Sequence, residues 1–198
     1  MSDTYLTLAA PSEGLYKEKG SKFMAFAYPV RTEEEIKNSI AQLHKTYFDA
    51  RHHCYAYVLG ADKNQFRAND DGEPGHSAGD PILGQIRSQN LTDVLIVVVR
   101  YFGGIKLGVG GLIQAYRTAA AEALANARII EKIVTQPFTI RFMYDQLNMV
   151  MKLLKDYDVD ILSQDFQLDC QLTAAVRKNH YTELLEKLQH IRAEVVVS

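Results

Sequence analysis

The first half of the chain alternates short apolar runs with turn-forming residues. Residues 14–19 and 22–30 flank Gly20-Ser21, a dipeptide suited to a tight turn, and predict a hairpin. Thr32 with Glu35 three residues later forms a capping box, predicting a helix start. Ile36, Ile40, Leu43 and Tyr47 follow at spacings of four, three and four, one apolar stripe of that helix. Residues 53–59 and 65–68 read as strands, and 69–79 as turn. Pro81 suits the first turn of a short helix reaching Gln89. Residues 94–101 are apolar up to Arg100 and read as a buried strand. A glycine-rich loop then precedes an alanine-rich helix over 112–126.

The second half predicts strands at 134–142, 159–166, 171–176 and 193–197, with helices at 145–157 and 181–191. Leu147, Val150, Met151 and Leu154 line the inner face of the first helix, and Leu184, Leu185 and Leu188 that of the second. The order β-α-β-β-α-β is the ferredoxin-like split unit. The fold class is therefore α+β. Two domains are expected, 1–130 and 131–198, joined near residues 128–136 without a Pro- or Ser-rich linker.

Composition narrows the function classes. At 198 residues with 47% hydrophobic and 23% charged, each half can build its own core. The longest apolar run, 94–99, is far too short to cross a bilayer. Met1-Ser2-Asp3-Thr4 has no basic segment followed by an apolar one, so no signal peptide and no membrane partner are expected. Cys54 and Cys170 fall in different halves, which predicts a reducing, cytoplasmic setting without a disulfide. Lys and Arg balance Asp and Glu at 14 each over residues 1–130, and number 8 against 10 beyond. Any contact with nucleic acid must then come from a local patch.

Three segments carry candidate chemistry. In the first, a strand delivers Arg100 to its end, and Gly103, Gly104, Gly108, Gly110 and Gly111 surround Lys106 before a helix. Exposed backbone N–H groups at a helix start, with nearby cations, make an anion site. Close packing of helix on sheet is the alternative use of these glycines. The segment ends Gly-Gly-Leu rather than Gly-Lys-Ser/Thr, and Ile113 stands where a dinucleotide fingerprint needs glycine. Free nucleotides are therefore not expected, and no cofactor is.

The second segment is Arg51-His52-His53-Cys54. Strand alternation sends His52 and Cys54 one way and His53 the other, so no metal site is expected. The third holds Asp70, Asp71 and Glu73 in four residues. These carboxylates could bind magnesium or act as acid and base. They could equally cap turns and the following helix. Asp70 or Asp71 is also placed to neutralise Arg100 or Arg51.

Together the segments Lys19-Gly20-Ser21-Lys22-Phe23, Ala50-Arg51-His52-His53-Cys54-Tyr55-Ala56-Tyr57, Asp70-Asp71-Gly72-Glu73-Pro74, Ala78-Gly79-Asp80-Pro81-Ile82-Leu83 and the loop 100–112 resemble the IMPACT family in its bacterial, YigZ-like form. The resemblance spans about residues 14–126, in family order. One departure stands out. Bacterial relatives commonly read Gly-Glu-Pro-Ser/Gly-Gly-Thr-Ala-Gly, whereas this chain places His76 at the second glycine of that motif.

The resemblance implies a first domain like the second domain of small-subunit ribosomal protein five and domain IV of elongation factor G. It implies a second domain like domain V of that factor. Eukaryotic relatives restrain a translation-control kinase by competing for its ribosome-associated activator. They carry a further N-terminal domain with no counterpart in this sequence, so that partner is not expected to transfer.

What is expected is a non-enzymatic, translation-associated regulator. Its partners would be the ribosome or structured RNA, with a protein regulator of translation as a further candidate. Contact would run through Arg51, Arg100, Lys106, Arg117 and the glycines 103, 104, 108, 110 and 111. The alternative is a metal-assisted hydrolase of phosphate esters using Asp70, Asp71 and Glu73.

Overall fold

The computed structural model describes residues 3–167 and 169–196. Val197, placed in the last strand by the sequence pattern, lies outside the described residues, as do Met1 and Ser2. Contacts divide the chain into Tyr5–Lys132 and a second unit that joins Asp3–Thr4 to the chain from Ile133 onward. The fold is mixed α/β with antiparallel sheets in both units.

The larger unit runs β1 (Thr4–Leu8), β2 (Ser12–Glu18), β3 (Ser21–Pro29), α1 (Glu33–Thr46), β4 (His52–Leu59), β5 (Gln65–Asn69), α2 (Gly79–Ser88), β6 (Val94–Tyr101), α3 (Gly108–Ala125) and β7 (Ile129–Ile133). A five-stranded antiparallel sheet orders its strands β2-β3-β6-β4-β5, and β1 pairs with β7 separately. Strand β6 is apolar from Val94 to Val99 because both of its faces are covered there. Val94, Ile96 and Val98 join the core under α2 and α3, while Leu95, Val97 and Val99 join a second core under α1.

Alternation also sorts β4. Cys54, Ala56 and Val58 face the α2–α3 core, and Leu59 the α1 core with Tyr55 and Tyr57 packed beside it. Small residues let α3 approach closely: a Cβ on Gly14 of β2 would lie 2.3 Å from the Ala123 backbone nitrogen. Two features differ from the sequence expectation. β1 and β7 are additional strands, and α3 begins at Gly108, one turn earlier than Leu112.

The smaller unit runs β8 (Thr135–Met143), α4 (Leu147–Asp156), β9 (Asp160–Phe166), β10 (Asp169–Arg177), α5 (Tyr181–His190) and β11 (Glu194–Val196). Its sheet orders β11-β8-β10-β9. The core lies between one sheet face and the two helices, with Phe138, Ile140, Phe142 and Leu172 meeting Val150, Leu154, Leu184 and Leu188. Asp3 belongs to this unit. It accepts a 2.8 Å bond from Arg177 Nη2 and a second, short one from Nε, and its backbone oxygen accepts from Val134 N. The Arg177 guanidinium holds the Asp3 carboxyl below its ordinary range.

Candidate functional site

Strand β6 carries Arg100 to the end of the sheet, opposite Phe23 on one side and His52 on the other. Arg100 does not stand in open solvent. Its side chain is 8% exposed, and its Nη1 donates to Glu73 Oε1 at 2.6 Å, with Glu73 itself 4% exposed. The same oxygen accepts from Tyr116 Oη at 2.6 Å, and the Cys54 thiol lies 3.4 Å behind that hydroxyl. Burial drives the Tyr116 pKa far up, so its hydroxyl stays a donor to the carboxylate. The guanidinium also sits 5.4 Å from the Phe23 ring centre and 5.7 Å from that of Phe102. Among the described residues its buried Nε has no hydrogen-bond partner.

The expected pairing of Asp70 or Asp71 with Arg100 or Arg51 is therefore corrected: the acid that turns inward to Arg100 is Glu73. Asp70 is occupied by backbone. Its Oδ1 accepts from Ala78 N (3.0 Å) and Gly79 N (2.8 Å), and its Oδ2 from His76 N (2.8 Å). Desolvation alone would raise the Asp70 carboxyl, but these three bonds outweigh it and hold the pKa below its ordinary value. Asp71 Oδ2 accepts from His53 N at 2.6 Å, and its carbonyl accepts from His52 Nδ1 at 2.8 Å. The acidic turn thus caps α2 and ties itself to β4.

Those bonds engage each of the acids on which metal-assisted hydrolysis would depend. Among the described residues no three His, Cys, Asp or Glu side chains are grouped to hold a metal ion. Cys54 is buried, points at the Asp70 carbonyl (2.9 Å), and has its thiol pKa pushed up by that burial, which suits packing and not attack. His76 adopts φ +61, the left-handed region that the motif's usual glycine serves. Its bond to Asp70 and a 2.6 Å contact from its Nδ1 to Asp80 hold it there. The Asp80 carboxylate raises the His76 pKa.

Beside Arg100 lies a cavity of about 460 Å³. Arg51, His52, Arg100, Lys106 and Gly108 line it together with Phe102, Leu107 and Val109. It opens at the N-terminus of α3, where Leu107 supplies no side-chain cap and the first turn holds no acid. The backbone N–H groups of that turn are unsatisfied by the helix itself and carry the positive end of its dipole. Arg100 is neutralised by Glu73, so Arg51 and Lys106 provide the net positive charge at the cavity.

Of the residues singled out in the sequence, Arg51, Glu73, Arg100, Lys106 and Gly108 meet at this cavity. Gly110 and Gly111 sit in the first turn of α3. Gly104 takes φ +92 in the preceding loop with no atom near its missing Cβ. Gly103 serves packing: a Cβ there would lie 1.9 Å from the Gly20 carbonyl carbon, and its N–H donates to Ser21 Oγ. Arg117 does not line the cavity. Nine residues beyond Gly108, it lies about 13 Å further along α3. The sequence reading missed His52, Phe102 and Val109 as wall residues. Phe102 is 55% and Val109 52% exposed, and large apolar residues flanking glycines in a predicted loop were the signal for them.

Comparison with known proteins places this chain in a family. The model of the Impact N-terminal domain matches residues 19–124, the span that contains the whole cavity. The Escherichia coli protein IMPACT family member YigZ is 34% identical over 188 residues, covering 94% of this chain and 92% of its own length. A Haemophilus influenzae IMPACT family member is 35% identical over 175 residues, 85% of each. A crystal structure described as that of a hypothetical protein superposes with a TM-score of 0.78 at 31% identity, covering 100% of this chain and 98% of its own. With a matching domain over more than half its length and relatives of this similarity, the chain belongs to the IMPACT family.

Proposed function

We propose that this chain acts in the control of translation by binding ribosomal or other structured RNA at the cavity where α3 begins. The observation that carries the reading is the convergence there of Arg51, Lys106, the donors of Arg100 and an uncapped, acid-free helix N-terminus. Each of these groups donates hydrogen bonds or positive charge, and a phosphate backbone is their complement. The near-balance of charge elsewhere in the chain confines the attraction to such a patch. A translational role is what the family resemblance implies. The likeness of the two units to domains IV and V of elongation factor G belongs to the same proposal.

Hydrolysis of a phosphate ester is the weaker reading, because Asp70, Asp71 and Glu73 all accept hydrogen bonds from the protein itself. The test is binding to ribosomes and to structured RNA as salt is varied. With two to four phosphates engaged, the log–log slope should be shallow, about −2 to −4. Lys106→Glu should abolish most of the binding at physiological salt. Undiminished binding by that variant would reject the cavity as the contact surface.

A further inference from the structure

Resting on that reading, we infer that the cavity takes one unpaired ribonucleotide of the RNA, with its base on Phe102, its phosphate at the start of α3 and its 2′-hydroxyl on His52. Arg51, Lys106, Arg100 and the α3 amides are donors only. They complement phosphate oxygens but recognise no hydroxyl hydrogen. His52 differs. Its Nδ1 lies 2.8 Å from the Asp71 carbonyl, which can only accept, so the neutral ring carries its proton on Nδ1. Nε2 is left as an acceptor on a residue that lines the cavity. Glu73, a second side-chain acceptor at the cavity, already receives Arg100 and Tyr116 on Oε1, and its side chain is only 4% exposed.

A second observation extends the site beyond the helix terminus alone. Arg51, Lys106 and the more than nine-tenths buried Arg100 line the same cavity, and the Arg100 guanidinium is held between Glu73 at Nη1 and the rings of Phe23 and Phe102. Phe102 supplies the remaining requirement. Its ring is more than half exposed beside that guanidinium, an apolar face at the mouth of a basic cavity. Such a face stacks a base, and only an unpaired base offers its own face in return. The volume is in the range of single-ligand clefts, about 300–1,000 Å³. A ligand that presents a flat base, a phosphate and a neighbouring hydroxyl donor is a ribonucleotide; a deoxyribonucleotide lacks the donor.

The experiment compares a short single-stranded RNA with the same sequence as DNA, as 2′-O-methyl RNA and as duplex RNA, by fluorescence anisotropy at fixed salt. The wild-type chain should bind single-stranded RNA about tenfold more tightly than DNA or 2′-O-methyl RNA, the effect of one hydrogen bond. Phe102→Ala should weaken RNA and DNA alike by about tenfold. His52→Asn keeps a donor where Nδ1 stands and removes the acceptor, so RNA should fall to the DNA level. His52→Gln, which restores an acceptor near the Nε2 position, should recover part of the preference.

Equal affinity for RNA and DNA, preference for the duplex, or indifference to Phe102→Ala would overturn the inference. If Lys106→Glu still weakens binding in that case, the phosphate-contact reading survives without it. Absence of binding, or binding unaffected by Lys106→Glu, would overturn both.

Discussion

The acidic turn between β5 and α2 and the glycine-rich segment between β6 and α3 border the same cavity, yet they use their polar groups in opposite ways. In the turn, every acid is engaged internally. Asp70 gathers three backbone N–H groups, Asp71 binds β4, and Glu73 joins Arg100 and Tyr116. In the glycine-rich segment, the first turn of α3 has no cap, and Lys106 brings charge to the cavity without a role in the core. The dense run of carboxylates was open to a catalytic or a structural reading, and its acids are bonded within the protein. The glycines, read as an anion site or as packing, pack tightly at Gly103 and stand in open space at Gly104, Gly108 and Gly110. Whether a polar group is available for a ligand depends on whether the fold has already satisfied it.

Substitutions can break this contrast from either side. The largest effect should come from Glu73→Gln, which leaves the buried Arg100 charge uncompensated. A loss of about 3–5 kcal/mol in urea unfolding is expected, since removing one partner of a buried pair strands the other. Gly103→Ala should come next, at about 1–3 kcal/mol, because its Cβ would collide with the Gly20 backbone. Gly110→Ala, by contrast, adds a Cβ in open space on a helix and should stabilise by about 0.4–1 kcal/mol. Equal losses at the two glycines would erase the distinction between packing and open positions.

A smaller effect should follow pH. His53 is buried under α1 with its ring centre 3.9 Å from that of His44. Desolvation first, and His44 second, lower its pKa from 6.5, while Asp71 pulls the other way. The native ring therefore takes up a proton less readily than the unfolded one as pH falls through 6.5. This contribution is complete above 6.5 and lost progressively below it. His53→Phe should make the denaturation midpoint less sensitive to pH between 7.5 and 5.5, whereas an unchanged slope would exonerate this ring. The smallest stability effect should be that of Lys106→Glu, within about 0.5 kcal/mol of wild type. A large loss there would mean that Lys106, too, belongs to the scaffold.

Much of this was legible in the chain. The uninterrupted apolar run of β6 reads as a strand covered on both faces, and the leucine stripes of α4 and α5 mark their buried sides. Strands β1 and β7 were hidden because they are short and pair across more than a hundred residues, with no hairpin turn between them. The first turn of α3 was hidden because glycine has poor helix propensity, and the buried Leu112 and Ala115 that follow hold the helix in place instead. Arg51, Arg100 and Lys106 were recognisable as cations of one region. Which of three neighbouring acids would meet Arg100 was not, since positive φ at Asp71 and Gly72 redirects the turn and only the folded backbone reveals it. Arg117 was misplaced because nearness in sequence along a helix becomes distance in space.

The most direct test of the central claim is to follow the backbone amides of the larger unit by two-dimensional NMR while single-stranded RNA is added. The account predicts that the amides of Gly108, Val109, Gly110 and Gly111 shift first and furthest, with Arg51, Phe102 and Lys106 alongside them. Amides of the acidic turn, already bonded to Asp70, should move little. Shifts that leave the start of α3 untouched and gather on another face would contradict it.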